Sequence, residues 1–345
     1  LCDLASYEID GFDRLTTGGV HPDWMEALPE SDSVVGVALA SGGNGRYGRI
    51  SPYLQGVNAV AENVRNVAAV GAFPRAITDC LNYGNPEIPQ QLWALEQGVA
   101  GIIAAARGLA IEGDAIPVIS GNVSLYNVSE RVESIDPTAI VCIVGQMPDA
   151  RKAITMRLQS PDSLLLLLGD RNDECGGSAY HQILEELTGC ETNALLGNRV
   201  PSPDFPALLS HIRFLKATIA RGLLRSCHDI SEGGLLLALF EMTLPHRGGG
   251  SDIGVTVDLT EIGSNHRNDT VLFTETGGFI LEIAKENLET ITTLAKESGC
   301  ALLSLGQTLP LATLAVERGG VNLLSAPLAD LQKVWSQSLP DVLGE

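Results

Sequence analysis

Apolar positions along this chain fall into short runs and helical stripes that alternate. Residues 34–40 form a short apolar run closed by glycines, as a buried strand does. Val57, Val60, Ala61, Val64, Val67 and Ala68 then recur at helical spacing, with Asn58, Glu62, Arg65 and Asn66 on the other face. That pattern predicts an amphipathic helix. Residues 76–81 read as a strand, ended by the loop 82–86 with its Gly-Asn-Pro. Leu92, Leu95, Val99, Ile102, Ile103 and Ala106 predict a second amphipathic helix. Residues 117–120 read as a strand that runs into Gly121-Asn122, and residues 139–144 as another.

The polar stretch 147–152 predicts a boundary, which divides the chain into residues 1–147 and 148–345. A strand at 164–168 follows, then a glycine turn at Gly176-Gly177 and a helix from Ala179. Residues 208–223 read as a long helix, 226–230 as a short strand or turn, and 235–242 as an apolar helix. Strands at 255–259 and 278–283, a helix at 288–296 and a final helix at 328–339 complete the pattern. The class is α/β (α+β) in two layers. A length of 345 residues also suggests about two domains.

Composition narrows the function. The net charge of -20 opposes phosphate backbones and anionic lipid, so neither nucleic acid nor a membrane is an expected partner. Only five Lys occur, the first at Lys152. A phosphate site earlier in the chain must therefore rest on Arg, backbone N–H groups or a cation. The seven Cys are odd in number and none is at C-x-x-C spacing, which points to free thiols in a reducing, cytoplasmic setting. No apolar run approaches a membrane span. A start at Leu1 fits a fragment better than a whole product.

Four segments carry candidate chemistry. Gly43-x-Gly45-x-x-Gly48 follows a strand, but Pro52 delays any helix, and no acidic residue stands about 20 positions on, so a dinucleotide fingerprint is rejected. Arg46 and Arg49 there are candidate phosphate contacts or plain loop residues. Asp79 sits in an otherwise apolar strand, where a carboxylate is costly unless it caps a backbone or serves a magnesium ion or nucleotide. Gly121-Asn122-Val123-Ser124 reads as a hairpin turn or as a tight loop. In the loop reading glycine admits a phosphate, Asn122 offers oxygen to Mg²⁺ and Ser124 bonds a substrate. Asp229 and Glu232 have capping-box spacing, which makes Asp229 a candidate helix start. His228 beside it is structural or acid–base, and Gly233-Gly234 could receive an anion.

Taken in order, Asn44-Gly45-Arg46-Tyr47, Thr78 to Glu87, Gly121 to Asn127 and His228 to Gly234 resemble the second half of the phosphoribosylformylglycinamidine synthases. The resemblance covers essentially the whole chain. It implies a two-domain unit of the aminoimidazole-ribonucleotide-synthetase-like superfamily. An N-terminal sheet-plus-helices domain is followed by a C-terminal α/β sandwich domain. It implies an ATP-dependent C–N ligase of purine biosynthesis, with ATP and Mg²⁺ as cofactors. The reaction joins formylglycinamide ribonucleotide and glutamine-derived ammonia to give formylglycinamidine ribonucleotide, ADP and phosphate.

Position by position, the resemblance makes Asp79 and Gly121 ATP contacts, Asn122 a metal ligand and Ser124 a substrate contact. Arg46, Asn82, His228 and Asp229 are secondary candidates, the last two beside a second, non-catalytic nucleotide cleft. The catalytic His belongs to the family's first half, so this chain alone is expected to be inactive. The implied partners are that N-terminal half, in a pseudo-dimer, a glutaminase subunit or domain and, in the short type, a small bridging subunit. Departures are a short insertion near 111–114 and Thr276-Gly277-Gly278-Phe279, where many relatives carry a basic residue. The rivals are a self-sufficient superfamily enzyme and a nucleotide-binding scaffold without turnover. The self-sufficient types are aminoimidazole ribonucleotide synthetase, thiamine-monophosphate kinase and selenophosphate synthetase. They place a nucleotide-binding run near the N-terminus, where this chain has only Gly18-Gly19.

Overall fold

The structure is a computed structural model that describes residues 34–111, 113–128, 134–244 and 253–343. Gly18, Gly19 and Glu112 lie outside the described residues.

Two sheets organise the chain. The first has four strands: β1 (Gly36–Gly42), β2 (Phe73–Asn82), β3 (Val118–Ser124) and β4 (Thr138–Met147), in the order β1-β4-β2-β3. β4 pairs antiparallel with both β1 and β2, while β3 lies parallel to β2 at the edge. One face carries helices α2 (Pro52–Ala69) and α3 (Pro89–Gly108), preceded by the short α1 (Gly45–Ile50). Pro52 does not postpone helix formation. Asn44 caps α1, and Ser51 caps α2 by accepting from the Leu54 N–H with Pro52 in the first turn.

The second sheet has seven strands, in the order β11-β10-β7-β9-β5-β8-β6. These are β5 (Leu164–Leu168), β6 (Leu224–Ile230), β7 (Gly254–Asp258), β8 (Gly278–Ile283), β9 (Leu302–Leu309), β10 (Thr313–Arg318) and β11 (Val321–Pro327). Around them stand α4 (Ala179–Thr188), α5 (Phe205–Ala220), α6 (Gly234–Met242), α7 (Asn268–Phe273), α8 (Leu288–Glu297) and α9 (Leu328–Leu343). The central strands are buried on both faces. Leu166 and Leu168 of β5 enter one apolar cluster with α5 and α8, and Leu165 and Leu167 enter another with α6 and α7. The first cluster continues into the smaller sheet through Val60, Val64 and Ile77.

Three sequence expectations change. The stripe Asn58 and Arg65 of α2 is not solvated: these residues are 5% and 4% exposed, because the second sheet and α5 pack over that side. Asn58 donates to the Pro201 carbonyl at 2.7 Å. Residues 302–327, not predicted as strands, form β9 to β11. Asp229 does not begin a helix: β6 continues through it to Ile230, and α6 starts after Gly233, whose φ of 77° makes the turn. None of the described helices is long and apolar enough to cross a membrane.

Candidate functional site

The segment Gly121 to Ser124 is neither a hairpin turn nor a tight loop. It is the end of edge strand β3, in register with β2: Asp79 opposite Gly121, Cys80 opposite Asn122, and Asn82 opposite Ser124. Pairing to a single neighbour keeps it extended and leaves its outer rim unpaired among the described residues.

Strand alternation then sorts the candidates by face. Asp79 lies opposite Val141, a fully buried residue of the helix-covered face. Gly121 shares that face, and a Cβ there would stand 2.3 Å from Asp79 Oδ1. Only glycine leaves room for the carboxylate. Asp79 accepts no hydrogen bond from the described residues, and burial pushes its carboxyl above the usual range. Burial, with the Asp79 charge adding to it, pushes the neighbouring Tyr83 phenol up to about 12.

The opposite, open face carries Asn122 and Ser124. Asn122 donates to Cys80 Sγ at 3.3 Å, which turns its amide oxygen away from that bond. Asn82 donates to the Cys80 carbonyl at 3.0 Å. The Ser124 hydroxyl donates to Asn127 Oδ1 at 3.1 Å, tying the strand end to the following loop. Asp79 and Asn122 thus flank one strand end from two sides and do not converge on a single ion. No group of three or more His, Cys, Asp or Glu that could hold a metal exists among the described residues. One amide oxygen fits a Mg²⁺ that takes its other ligands from phosphates and water, the usual arrangement at nucleotide sites.

The remaining candidates lie elsewhere. Arg46 turns its guanidinium to Glu185 and Asn193 at 3.5 Å each, and Arg49 pairs with Asp136 at 2.8 Å. His228 and Asp229 sit in β6, nearly buried. His228 Nε2 is 2.7 Å from Glu241 Oε2, and Nδ1 is 3.5 Å from Asp229 Oδ1. Burial alone would lower the imidazole pKa, but the bonds to Asp229 and Glu241 outweigh it and raise it to about 9. This His is a charged strut.

The Gly233 N–H does meet an anion, but an internal one. Glu275 Oε1 accepts from Gly233 at 3.0 Å and from Ala179 at 2.9 Å, and Oε2 accepts from the Tyr47 hydroxyl. Glu275 and Arg65 escaped sequence reasoning because their partners are distant in the chain: Gly233, Ala179 and Tyr47 for Glu275, and Asp229 for Arg65. The one available signal was an acidic residue standing just before an apolar strand.

The model for AIR synthase related protein, N-terminal domain, matches residues 29–147, and that for the C-terminal domain matches residues 160–316. Phosphoribosylformylglycinamidine synthase subunit PurL of Methanothrix thermoacetophila is 35% identical over 97% of this chain and 42% of its own length. The Cutibacterium acnes subunit is 33% identical over 100% of this chain and 43% of its own. The chain therefore spans about two-fifths of the curated relatives it matches. Thermotoga maritima PurL complexed with FGAR superposes with a TM-score of 0.71 at 18% identity, over 90% of this chain and 50% of that one, a likeness of fold.

Proposed function

Because this chain belongs to the AIR synthase related family, we propose that it is the second half of an ATP-dependent phosphoribosylformylglycinamidine synthase, with residues 1–147 and 148–345 as its two domains. One observation carries the reading. Asp79, a carboxylate with no hydrogen-bond partner among the described residues, stands against a glycine on an exposed strand end, with Asn122 and Ser124 on that strand's other side. The strand end thereby presents a bare backbone, an acceptor and a hydroxyl without any side chain that blocks approach.

In this reading Gly121 leaves room for the Asp79 carboxylate, and the two contact ATP together from the helix-covered side. Asn122 gives its amide oxygen to Mg²⁺, and Ser124 releases Asn127 to bond the ribonucleotide. When bound, Mg-ATP supplies the phosphoryl group and neutralises its charge. Phosphorylation of the substrate amide oxygen makes it a leaving group, and ammonia displaces it. The chain's part is orientation, and it supplies no general acid or base.

The open face of the four-stranded sheet supports a partner. Val37 and Leu39 are 72% and 62% exposed and adjoin Val144 and Gln146, with no helix over them among the described residues. We assign this face to the N-terminal half of the same synthase. The glutaminase and any bridging subunit join the full assembly, in the cytoplasm. The structure of PurLQS from Thermotoga maritima, at 17% identity, is similar to this chain in fold.

The test is reconstitution. The purified chain is mixed with Mg-ATP, formylglycinamide ribonucleotide and ammonium, with and without a separately produced N-terminal half. Turnover in the mixture alone is the expected result. Turnover by the chain alone would favour a self-sufficient enzyme, and none in either would leave a scaffold.

A further inference from the structure

Cys80 lies half-buried on the open face of β2, opposite Asn122 of β3. Its side chain joins a run of hydrogen bonds in which each group fixes the polarity of the next.

The run starts at Asn82. Its Nδ2 donates to the Cys80 carbonyl at 3.0 Å and to the Thr138 carbonyl at 3.4 Å. Both carbonyls are acceptors only, so an amide turned the other way would set oxygen against oxygen twice. The two N–H bonds of Asn82 are thereby committed. The 3.6 Å approach of Nδ2 to the Cys80 sulfur has no proton left to fill it. Asn82 Oδ1 faces the same sulfur at 3.8 Å, and the thiol proton is donated there. That bond is weak, but it is the one this arrangement permits.

With its proton placed on Asn82, the sulfur offers lone pairs towards β3. Asn122 Nδ2 donates to it at 3.3 Å. Among the described residues no other group bonds the Asn122 side chain. Asp79 faces the opposite side of β2, and the Ser124 hydroxyl donates to Asn127. The sulfur therefore decides which end of the exposed Asn122 amide points outward, and that end is the oxygen. A thiol that donated to Asn122 instead would turn the amino end outward, and that end repels a cation.

We propose that Cys80 is a positioning residue: its sulfur, held as an acceptor by Asn82, keeps the Asn122 amide oxygen turned outward for a divalent cation. The inference rests on the reading of Asn122 as a Mg²⁺ ligand. It adds that the ligand is oriented before the cation arrives, through Cys80 and Asn82. An amide free to rotate must instead be ordered on binding, and ordering one side chain is worth about threefold to tenfold in affinity.

The test uses the chain reconstituted with the N-terminal half. Calorimetry with a non-hydrolysable ATP analogue is run in EDTA and across a Mg²⁺ titration. In Cys80→Ala the Mg²⁺ concentration for half-maximal effect should rise about threefold to tenfold, with the affinity in EDTA and the melting temperature as in the native chain. Should that variant fail to fold, Cys80→Val, which keeps the volume and removes the lone pairs, takes its place. Cys80→Ser should recover most of the loss, because a hydroxyl can donate to Asn82 and accept from Asn122 with the same polarity. A sulfur that merely packs would leave the alanine and serine variants alike and lower the affinity in EDTA as well, and that result would overturn the proposal. Asn122→Ala separates this inference from the reading beneath it. A Mg²⁺ dependence unchanged in Asn122→Ala would sink the ligand reading. One raised in Asn122→Ala but not in Cys80→Ala would defeat the positioning role alone. A second measurement needs neither metal nor partner. In the ¹⁵N-labelled native chain the Asn122 side-chain amide resonances should stand away from the free-amide position, and Cys80→Ala should return them to it. Resonances unmoved in Cys80→Ala would overturn the proposal whatever the Mg²⁺ titration gives.

Discussion

The two sheets of this chain solve burial in opposite ways. In the seven-stranded sheet, β5 and β8 are covered on both faces, and the single polar side chain they carry, Glu282, is fully engaged. Glu282 of β8, wholly buried, accepts from the N–H groups of Gln159 and Ser160 and from the hydroxyls of Ser163 and Ser226. Among the described residues the four-stranded sheet is covered on one face only, and its Asp79 has no hydrogen-bond partner. A buried carboxylate with four donors holds a fold together. A half-buried one with none, at a strand end, is available to a ligand.

The contrast is most severely tested at Glu282. Glu282→Ala removes the acceptor for four donors in a dry interior and should destabilise the chain by about 3–5 kcal/mol in denaturant unfolding. A loss below about 1 kcal/mol would mean that the sheet is less closed than described. The His228 strut comes next. Its pKa rises from 6.5 in the free side chain to about 9 in the fold. Its stabilising contribution is therefore complete below pH 6.5 and is lost as pH climbs through about 9. Over that window the native chain should lose about 3 kcal/mol that His228→Gln does not lose. Melts of the two proteins at either end measure it.

The smaller sheet should respond in binding and not in folding. Asp79→Ala should weaken Mg-nucleotide binding in the reconstituted mixture about tenfold, as the loss of a charged contact does. His228→Ala should leave that affinity nearly unchanged. Leu39→Asp should shift the chain's own stability by about 0.5 kcal/mol or less, as exposed positions do. Sedimentation should nevertheless show weakened association with the N-terminal half. Aggregation or unfolding of the isolated Leu39→Asp chain would mean that β1 is covered by the chain itself.

Much of this was legible in the sequence. The helical stripes of α2 and α3 and the apolar runs of β5 and β8 mark their own elements, because local period decides them. The residues Asp79, Gly121, Asn122 and Ser124 could be picked out by type and by resemblance. Their division between two faces could not, because it depends on parallel pairing between strands whose cross-strand partners lie 42 residues apart, as Asp79 and Gly121 do. Asp229 misled as a helix cap because capping-box spacing says nothing of whether a strand precedes it. Arg65 read as a solvent residue because a helix covered on two sides has the same stripe as one covered on one. β9 to β11 were missed because they are partly exposed and β9 is interrupted by Gly306, and tertiary pairing, not pattern, makes them strands.

Helix α2 belongs to both layers: Val60 and Val64 join the apolar cluster that also contains Phe279 and Leu281 of the larger sheet. The two halves of the chain therefore share one cooperative unit. A protease cut in the connection between Met147 and Leu164 should leave both pieces bound to each other, with a single melting transition. Neither half, produced by itself, should fold, since each would carry into water the face that the other half dries.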